Sequence, residues 1–128
     1  MDDANVPSLL SMPYLGYCKK EDTLYQHTQS FILSHHNPYY YQGTCASGIG
    51  SPHTPKNYIR HIALSMQGLT GTKEEAKKMI NLILETSNNE GLCHEGFNKD
   101  EPSEYTRSWF AWANSLFAEL VYQTYFVK

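Results

Sequence analysis

The stretch TPKNYIRHIALSMQGLTGTKEEAKKMINLILE, residues 54–85, contains two amphipathic segments joined by a very short link. The first segment opens on Thr54, and Pro55 occupies the first helical position, an arrangement that favours a helix N-terminus. Apolar residues then recur with the 3.6-residue period of an α-helix. They are Ile59, Ile62, Ala63, Met66 and Leu69. The pattern predicts a helix that begins at Thr54–Pro55 and ends before Gly71.

The second segment begins with Thr72-x-x-Glu75, the pattern of a capping box at a helix N-terminus. Apolar residues at helical spacing follow it. They are Ala76, Met79, Ile80, Ile83 and Leu84. Because only Thr70 and Gly71 separate the two segments, we predict an antiparallel αα-hairpin.

Three further helices are predicted. Asp22 is a good N-cap for a helix that runs towards His35, and a short helix is expected from Pro7 through Leu10. A last helix starts near Ser103 to Thr106 and continues almost to the end of the chain; it is apolar around most of its circumference, which predicts burial on two or more sides. Alternation of apolar and polar residues never persists, so the predicted fold class is all-α.

Two connections are much longer than the others, residues 37–55 and residues 88–102. Loops of this length in a compact domain are usually functional. In an array of antiparallel helices, alternate connections emerge at the same end. We therefore expect a helical scaffold whose two long loops form a site on one rim.

Composition argues against several classes of partner. The 128 residues are enough for one domain, and 10 Lys and Arg against 13 Asp and Glu give a formal net charge of −3. No basic run suits nucleic acid or an anionic membrane, and no segment reaches the ~20 apolar residues of a membrane span. No signal-peptide pattern is visible, so an intracellular location is the default expectation. Three cysteines without Cys-x-x-Cys favour reduced thiols over disulfides or zinc, and we expect no metal or cofactor.

Aromatic residues make up 13% of the chain, and many lie outside helical periodicity, as in NPYYYQG. An aromatic ring in a loop is costly to hydrate unless something packs on it, and the apolar C–H face of a sugar ring is a common partner. This feature favours a ligand-binding site.

Glu95 is the strongest catalytic candidate, since it lies in LCHEGF between Gly91 and Gly96. A carboxylate on a glycine-flanked loop can act as a general base on a bound water, although an ordinary solvated loop carboxylate has the same pattern. The segment is not His-Glu-x-x-His, because position 98 is Asn, and this excludes the metalloprotease motif.

Other polar residues have two interpretations each. Asp3 and Asn5 can bind hydroxyl groups or a cation, or can cap a following helix. His53 can donate to a ligand hydroxyl or simply order its loop. Arg107 can pair with the nearby acidic residues of its own loop, or can orient a site carboxylate from behind.

Five segments together resemble the C-terminal part of glycoside hydrolase family 125. They are MDDANVPSLLSMPYLGY, NPYYYQGTCASGIGSPHTP, IALSMQGLT, LCHEGF and YTRSWFAWANSLFAELV. They follow in order, and the resemblance extends over essentially the whole chain from residue 1 to residue 121. The family comprises exo-acting α-1,6-mannosidases built on an (α/α)6 toroid of six helical hairpins. The resemblance implies that residues 1–128 are a C-terminal fragment of one catalytic domain, a partial toroid with only the last hairpins.

The resemblance also implies a mechanism. The reaction is metal-independent, inverting hydrolysis of α-mannosides of the N-glycan or mannan type, by one carboxylic acid and one carboxylate base. Glu95 corresponds to the base, and Asp3, Asn5 and His53 fall in motifs that line the sugar pocket. The general acid is an Asp upstream of the DDAN motif, to which no residue here corresponds. Arg60-His61 is a departure, since family members often have Trp-Pro there, and it is expected to alter the surroundings of the pocket.

A partial toroid is expected to leave apolar edges exposed. The isolated chain is therefore expected to be poorly stable or to associate, either with itself or with the missing N-terminal part, and to lack activity because the acid is absent. The alternative is a non-catalytic remnant that binds mannosides or a partner protein through the retained loops.

Overall fold

The computed structural model describes residues 3, 8–87 and 92–127, and within them the chain forms four helices and five short strands. The elements, in order, are α1 (Thr23–Ile32), β1 (Tyr40–Gln42), β2 (Ser47–Ile49), β3 (Tyr58–Ile59), α2 (His61–Thr70), α3 (Lys73–Thr86), β4 (Gly96–Asn98), β5 (Tyr105–Thr106) and α4 (Ala111–Tyr125). The strands come from the two long connections.

The predicted αα-hairpin is confirmed as α2 and α3. The Thr72 hydroxyl accepts a hydrogen bond from the Glu75 backbone N–H at 3.1 Å, as an N-cap should. The Glu75 carboxylate accepts a hydrogen bond from Gln67 Nε2 at 2.7 Å, and so joins the start of α3 to α2. The Asp22 cap of α1 is also confirmed, because its Oδ1 accepts from the Tyr25 N–H at 3.2 Å.

The start of α2 was predicted wrongly. The helix begins at His61 rather than at Thr54–Pro55, and Tyr58–Ile59 form β3. Asn57 has a φ of 70°, which a right-handed helix cannot contain. Two residues later, Ile59 is fully buried and pairs with Phe97 of β4. This tertiary contact places Ile59 in a strand, although the periodicity of the sequence assigns it to a helix.

The ends of the chain also differ from the prediction. The last helix begins at Ala111, not at 103–106, because Tyr105–Thr106 pair with β4 as β5 and Arg107 has a φ of 50°. The short helix expected from Pro7 through Leu10 lies partly outside the described residues. Residues 10–16 form successive turns, in which the Leu15 N–H donates to the Ser11 carbonyl.

The all-α prediction is wrong, since the long connections form two small antiparallel sheets. One sheet is the β1–β2 hairpin, and the other has the order β3-β4-β5. Strands of two or three residues are too short to show alternation in a sequence. Gly48 in β2 is required by close packing, because a Cβ there would lie 2.7 Å from Leu64 Cδ2 and 2.8 Å from Ile59 Cγ2.

The core is centred on α2, which packs against α3, α4 and β2. Eight of its ten residues are buried. Gly68 allows α4 to approach closely, because a Cβ there would lie 2.8 Å from Leu120 Cδ1. The α2 helix therefore holds both the helical layer and the sheets that carry the long loops.

In α4 only one face is buried, by Ala113, Leu116, Leu120 and Thr124. Large apolar side chains remain exposed on and beside it; they are Trp109, Trp112, Tyr122, Tyr125, Phe126 and Val127. The expected burial on two sides is thus not reached within the described residues. None of the described helices is long and apolar enough to cross a membrane.

Candidate active site

The described parts of the two long connections contact each other. The backbone N–H groups of Cys45 and Ala46 donate to the Lys99 carbonyl at 3.1 and 3.2 Å. The Thr44 N–H donates to Asp100 Oδ1 at 2.8 Å. The connections therefore form one continuous loop surface rather than two separate loops.

Glu95 lies on this surface, one residue before β4. Its side chain is 18% exposed, so the carboxylate is shielded but still reachable. Its backbone N–H donates to the Thr106 carbonyl at 3.1 Å, and the next residue, Gly96, pairs with Thr106. A Cβ at Gly96 would lie 3.2 Å from Thr54 Cγ2, so Gly96 also lets the 51–55 segment pack against the Glu95 loop.

Arg107 is the ion-pair partner of Glu95. Its Nε lies 3.8 Å from Glu95 Oε2, while Asp100 pairs with Lys99 Nζ at 2.8 Å. The interpretation that Arg107 orients a site carboxylate is thus supported over pairing within its own loop. The Arg107 side chain is 66% exposed, so the pair contributes at most about 1 kcal/mol to stability. The left-handed φ of 50° is a costly conformation for Arg, and such strain often marks functional positions.

A second arginine, Arg60, contacts Glu95 from the protein interior. Arg60 is buried, and its Nε donates to the Glu95 backbone carbonyl at 3.2 Å. Both guanidinium groups lie over the ring of Phe110, Arg60 at 5.5 Å and Arg107 at 5.8 Å from its centroid. Burial lowers the pKa of Arg60, the carboxylates of Glu95 and Asp3 oppose this, and Arg107 adds to it. Asp3 is therefore near enough to Arg60 for its charge to act on the guanidinium group.

His61 and His94 form a buried pair behind Glu95. The His94 backbone N–H donates to His61 Nδ1 at 2.9 Å, so Nδ1 carries no proton and the proton of neutral His61 is on Nε2. His61 Nε2 lies 2.8 Å from Thr86 Oγ1, which donates in turn to the Leu82 carbonyl. Burial, and the neighbouring His94 to a lesser degree, lower the pKa of His61 from 6.5 to about 3.

His94 is itself held in one orientation. Its ring stacks on Tyr105 with centroids 4.0 Å apart and an interplanar angle of 6°. Its Nδ1 lies 3.2 Å from the Ser108 carbonyl, which can only accept, so Nδ1 carries the proton. The residue before Glu95 is thus fixed on both its backbone and its side chain.

The structure describes fewer contacts for the remaining predicted site residues. His53 is exposed, and its backbone N–H donates to Ser51 Oγ at 3.2 Å, next to the segment that packs on Gly96. Asn5 lies outside the described residues. The three cysteines are free, and burial raises the pKa of Cys93 to about 12. Among residues 3, 8–87 and 92–127, no three His, Cys, Asp or Glu side chains cluster as metal ligands do.

Comparisons with known proteins identify the family of this chain. The family model described as metal-independent alpha-mannosidase (GH125) matches residues 1–122. The chain belongs to glycoside hydrolase family 125. A Schizosaccharomyces pombe relative, the meiotically up-regulated gene 157 protein, is 44% identical over 123 residues, which cover 94% of this chain and 24% of the relative.

A solved family 125 structure has the same fold over nearly all of the chain. It comes from Streptococcus pneumoniae, in work on metal-independent alpha mannosidases and N-linked glycan processing, and is a non-productive substrate complex with α-1,6-mannobiose. It is 52% identical, with a TM-score of 0.95 over 97% of this chain and 29% of that chain. The chain thus spans 24% of the length of the S. pombe relative and 29% of the S. pneumoniae chain, and its small sheets are part of the matched fold.

Sequence reasoning missed the residues that surround Glu95 from the inside. In the sequence Arg60 and His61 stand out only as a departure from the family pattern, yet both contact the Glu95 loop. The sequence carries one signal for these contacts, since the ionisable residues Arg60 and His61 lie between the apolar residues Ile59 and Ile62. Buried charged or polar groups are rarely found without a bonded partner, so an ionisable pair in an apolar segment predicts specific hydrogen bonds.

The buried neutral His61 predicts a pH dependence of stability. Its folded pKa of about 3 lies below the unfolded value of 6.5, so between these pH values the unfolded state binds the extra proton. This contribution is fully present above pH 6.5 and is lost as the pH falls towards 3, with a slope approaching 1.4 kcal/mol per pH unit. The His61→Asn substitution is expected to remove this contribution, so the slope of stability against pH should fall by up to about 1.4 kcal/mol per pH unit.

The measurement is urea unfolding between pH 4 and 7. The protein is a chimaera in which residues 1–128 replace the matched segment of the S. pneumoniae enzyme. The control is His27→Asn, which changes an exposed histidine on α1 and should leave the slope intact. Equal slopes for the parent and His61→Asn would contradict a neutral buried His61.

Proposed function

We propose that this chain supplies the general base and part of the sugar pocket of a metal-independent, inverting exo-α-1,6-mannosidase that acts on mannosides of the N-glycan or mannan type. The observation that carries the proposal is the setting of Glu95. Its carboxylate is shielded but reachable, it pairs with Arg107, and its peptide is hydrogen-bonded on both sides. A carboxylate held in this way is suited to act on one bound water.

In this proposal Glu95 removes a proton from the water that attacks the anomeric carbon. An acid on the opposite side of the sugar protonates the leaving oxygen, and the product has the inverted configuration. Inversion requires the two carboxyl groups to lie ~6.5–9.5 Å apart, with the water between them. We assign the acid to an Asp from a segment that precedes residues 1–128 in the complete catalytic domain.

Arg107 and Arg60 have different effects on the base. Arg107 pairs with the carboxylate itself, so it holds one oxygen away from the water. Arg60 contacts the peptide carbonyl, so it orients the residue without occupying a carboxylate oxygen. One Glu95 oxygen can therefore remain free for the nucleophilic water.

Asp3, Asn5 and His53 are proposed to bind the sugar. The carboxylates of Asp3 and Glu95 both act electrostatically on Arg60. The Asp3 carboxylate is therefore an acceptor for sugar hydroxyls in the same region as the proposed base. His53 is exposed on the segment that packs on Gly96, and its imidazole can donate to a hydroxyl. The S. pneumoniae complex with α-1,6-mannobiose supports an α-1,6-linked mannoside as the substrate class.

The test uses the chimaera with α-1,6-mannobiose and its α-1,2 and α-1,3 isomers, followed by proton NMR of the anomeric signals. We expect cleavage of the α-1,6 linkage in the presence of EDTA, with β-mannose as the first product from the non-reducing end. The isolated 128-residue chain is the control and should give no turnover, since it lacks the acid.

Other results would overturn particular parts of the proposal. α-Mannose as the first product would overturn the inverting mechanism, and preference for another linkage would overturn the substrate. A folded chimaera that binds mannobiose without cleaving it would favour a non-catalytic mannoside-binding role.

A further inference from the structure

We propose that Arg60 and His61 are positioning residues that together fix the backbone of residues 93–95 and thereby hold the Glu95 carboxylate in its reactive place. This inference rests on the proposed function, in which Glu95 is the base. The two residues lie directly before and at the start of α2, and they contact the peptide groups on either side of the 94–95 peptide: His61 the N–H of His94 and Arg60 the carbonyl of Glu95.

The Glu95 loop needs such support because, within the part of the chain that the structure describes, regular strand pairing reaches it from one side. The Glu95 N–H bonds to the Thr106 carbonyl, but β4 begins only at Gly96. On the other side, Arg60 Nε donates to the Glu95 carbonyl and His61 Nδ1 accepts from the His94 N–H, at 3.2 and 2.9 Å. Side chains thus supply the hydrogen bonds that a neighbouring strand would otherwise provide.

Arg60 is a rigid donor. Its own backbone N–H donates to the Ile49 carbonyl of β2 at 3.1 Å, and its guanidinium lies over the Phe110 ring. The Phe110 N–H in turn donates to the Cys93 carbonyl at 3.0 Å. Arg60 and Phe110 therefore contact each other, and each also bonds to the backbone of residues 93–95, Phe110 to the Cys93 carbonyl and Arg60 to the Glu95 carbonyl.

His61 is a rigid acceptor. The Nε2 proton is directed to Thr86 Oγ1, and the Thr86 hydroxyl proton is directed to the Leu82 carbonyl of α3, so the ring cannot rotate without breaking the chain of hydrogen bonds. The ring also packs against Phe97 and His94. The buried N–H of His94 has no access to water that could replace this acceptor.

The test separates the two ring nitrogens in the chimaera. In His61→Asn the side-chain oxygen can take the place of Nδ1 and still accept from His94, whereas in His61→Gln the amide reaches towards Thr86 and leaves His94 without its acceptor. Both variants are amides and both lose one of the two hydrogen bonds, so they are a matched pair.

We expect His61→Asn to retain kcat for α-1,6-mannobiose within about threefold, the kinetic equivalent of one minor contact. His61→Gln should lower kcat by about 10–100-fold with little change in KM, because a displacement of about 1 Å at a reacting group can cost about 100-fold. Crystal structures should show the Glu95 carboxylate displaced in His61→Gln and in place in His61→Asn.

Arg60→Lys tests the second contact. Lysine keeps the positive charge near Glu95 and Asp3 but has no Nε–H to reach the Glu95 carbonyl, so kcat should fall by about tenfold. If His61→Gln fails to fold, His61→Asn and Arg60→Lys still decide the question. A loss of kcat in His61→Asn as large as in Arg60→Lys would overturn the proposal.

The outcomes for the two proposals are distinct. An inactive parent chimaera would contradict the proposed function. An active parent with kcat unaltered in His61→Gln, or with losses that merely follow the unfolding temperature of each variant, would overturn the positioning role while leaving the proposed function intact.

Discussion

Glu95→Gln in the chimaera is expected to lower kcat for α-1,6-mannobiose by about 10²–10⁴-fold, while KM changes little. The amide preserves the shape of the side chain and can still contact Arg107, which lies 3.8 Å from Oε2, but it cannot accept a proton from water. Steady-state kinetics with release of mannose as the readout make the measurement.

The matched control is Glu85→Gln, the same substitution at an exposed position of α3, which should leave kcat unaltered. Glu95→Ala offers a second arm, because azide is a nucleophile that needs no base. Added azide should restore turnover in Glu95→Ala and yield the β-configured mannosyl azide. Undiminished activity of Glu95→Gln would falsify the assignment of the base.

The isolated 128-residue chain is expected to associate at micromolar concentration instead of forming a stable 14.7 kDa monomer. The reason is the apolar surface on and beside α4, where Trp112 is 43% exposed, Tyr122 56% and Phe126 73%. Burying a patch of about 400 Å² releases roughly 10 kcal/mol at ~25 cal/mol per Å², comparable with the entropic cost of association. Size-exclusion chromatography with multi-angle light scattering measures the mass.

A matched pair of variants tests which surface is responsible. Tyr122→Gln removes an exposed aromatic ring from α4 and should shift the population towards the monomer. Tyr17→Gln removes a more exposed ring, 78% accessible, from the turn region before α1 and should have little effect. A cooperative monomer for the unmodified chain would contradict the prediction.

The well-predicted parts of the fold are those decided by residues close in the sequence. The Asp22 and Thr72 caps bond to N–H groups three residues away, and α3 has apolar residues that recur every three or four positions. The two helix starts that were predicted wrongly are decided by residues far apart in the sequence. Periodicity alone places Ile59 in a helix, but pairing with Phe97 places it in β3.

In the candidate site, too, local sequence predicted some residues and distant contacts decided the others. The glycine-flanked LCHEGF segment and the family resemblance were enough to single out Glu95, because that signal lies within a few residues. The groups that hold Glu95 were not predicted, except that Arg107 had orientation of a site carboxylate as one of two interpretations. Arg60 was missed because a cationic residue at a helix start is ordinarily exposed, and here it is buried against Phe110.

The sequence by itself therefore determined the αα-hairpin, the helix caps, the family and the residue proposed as base, since each is specified by local patterns or by long matching motifs. Only the tertiary structure decided that Tyr58–Ile59 and Tyr105–Thr106 pair with β4, and that Arg60 and His61 contact the Glu95 loop. The contacts of Arg60 and His61 join residues 35 and 33 positions apart. Local propensity carries no information on such pairs, because their free energy depends on which distant groups the fold brings together and buries.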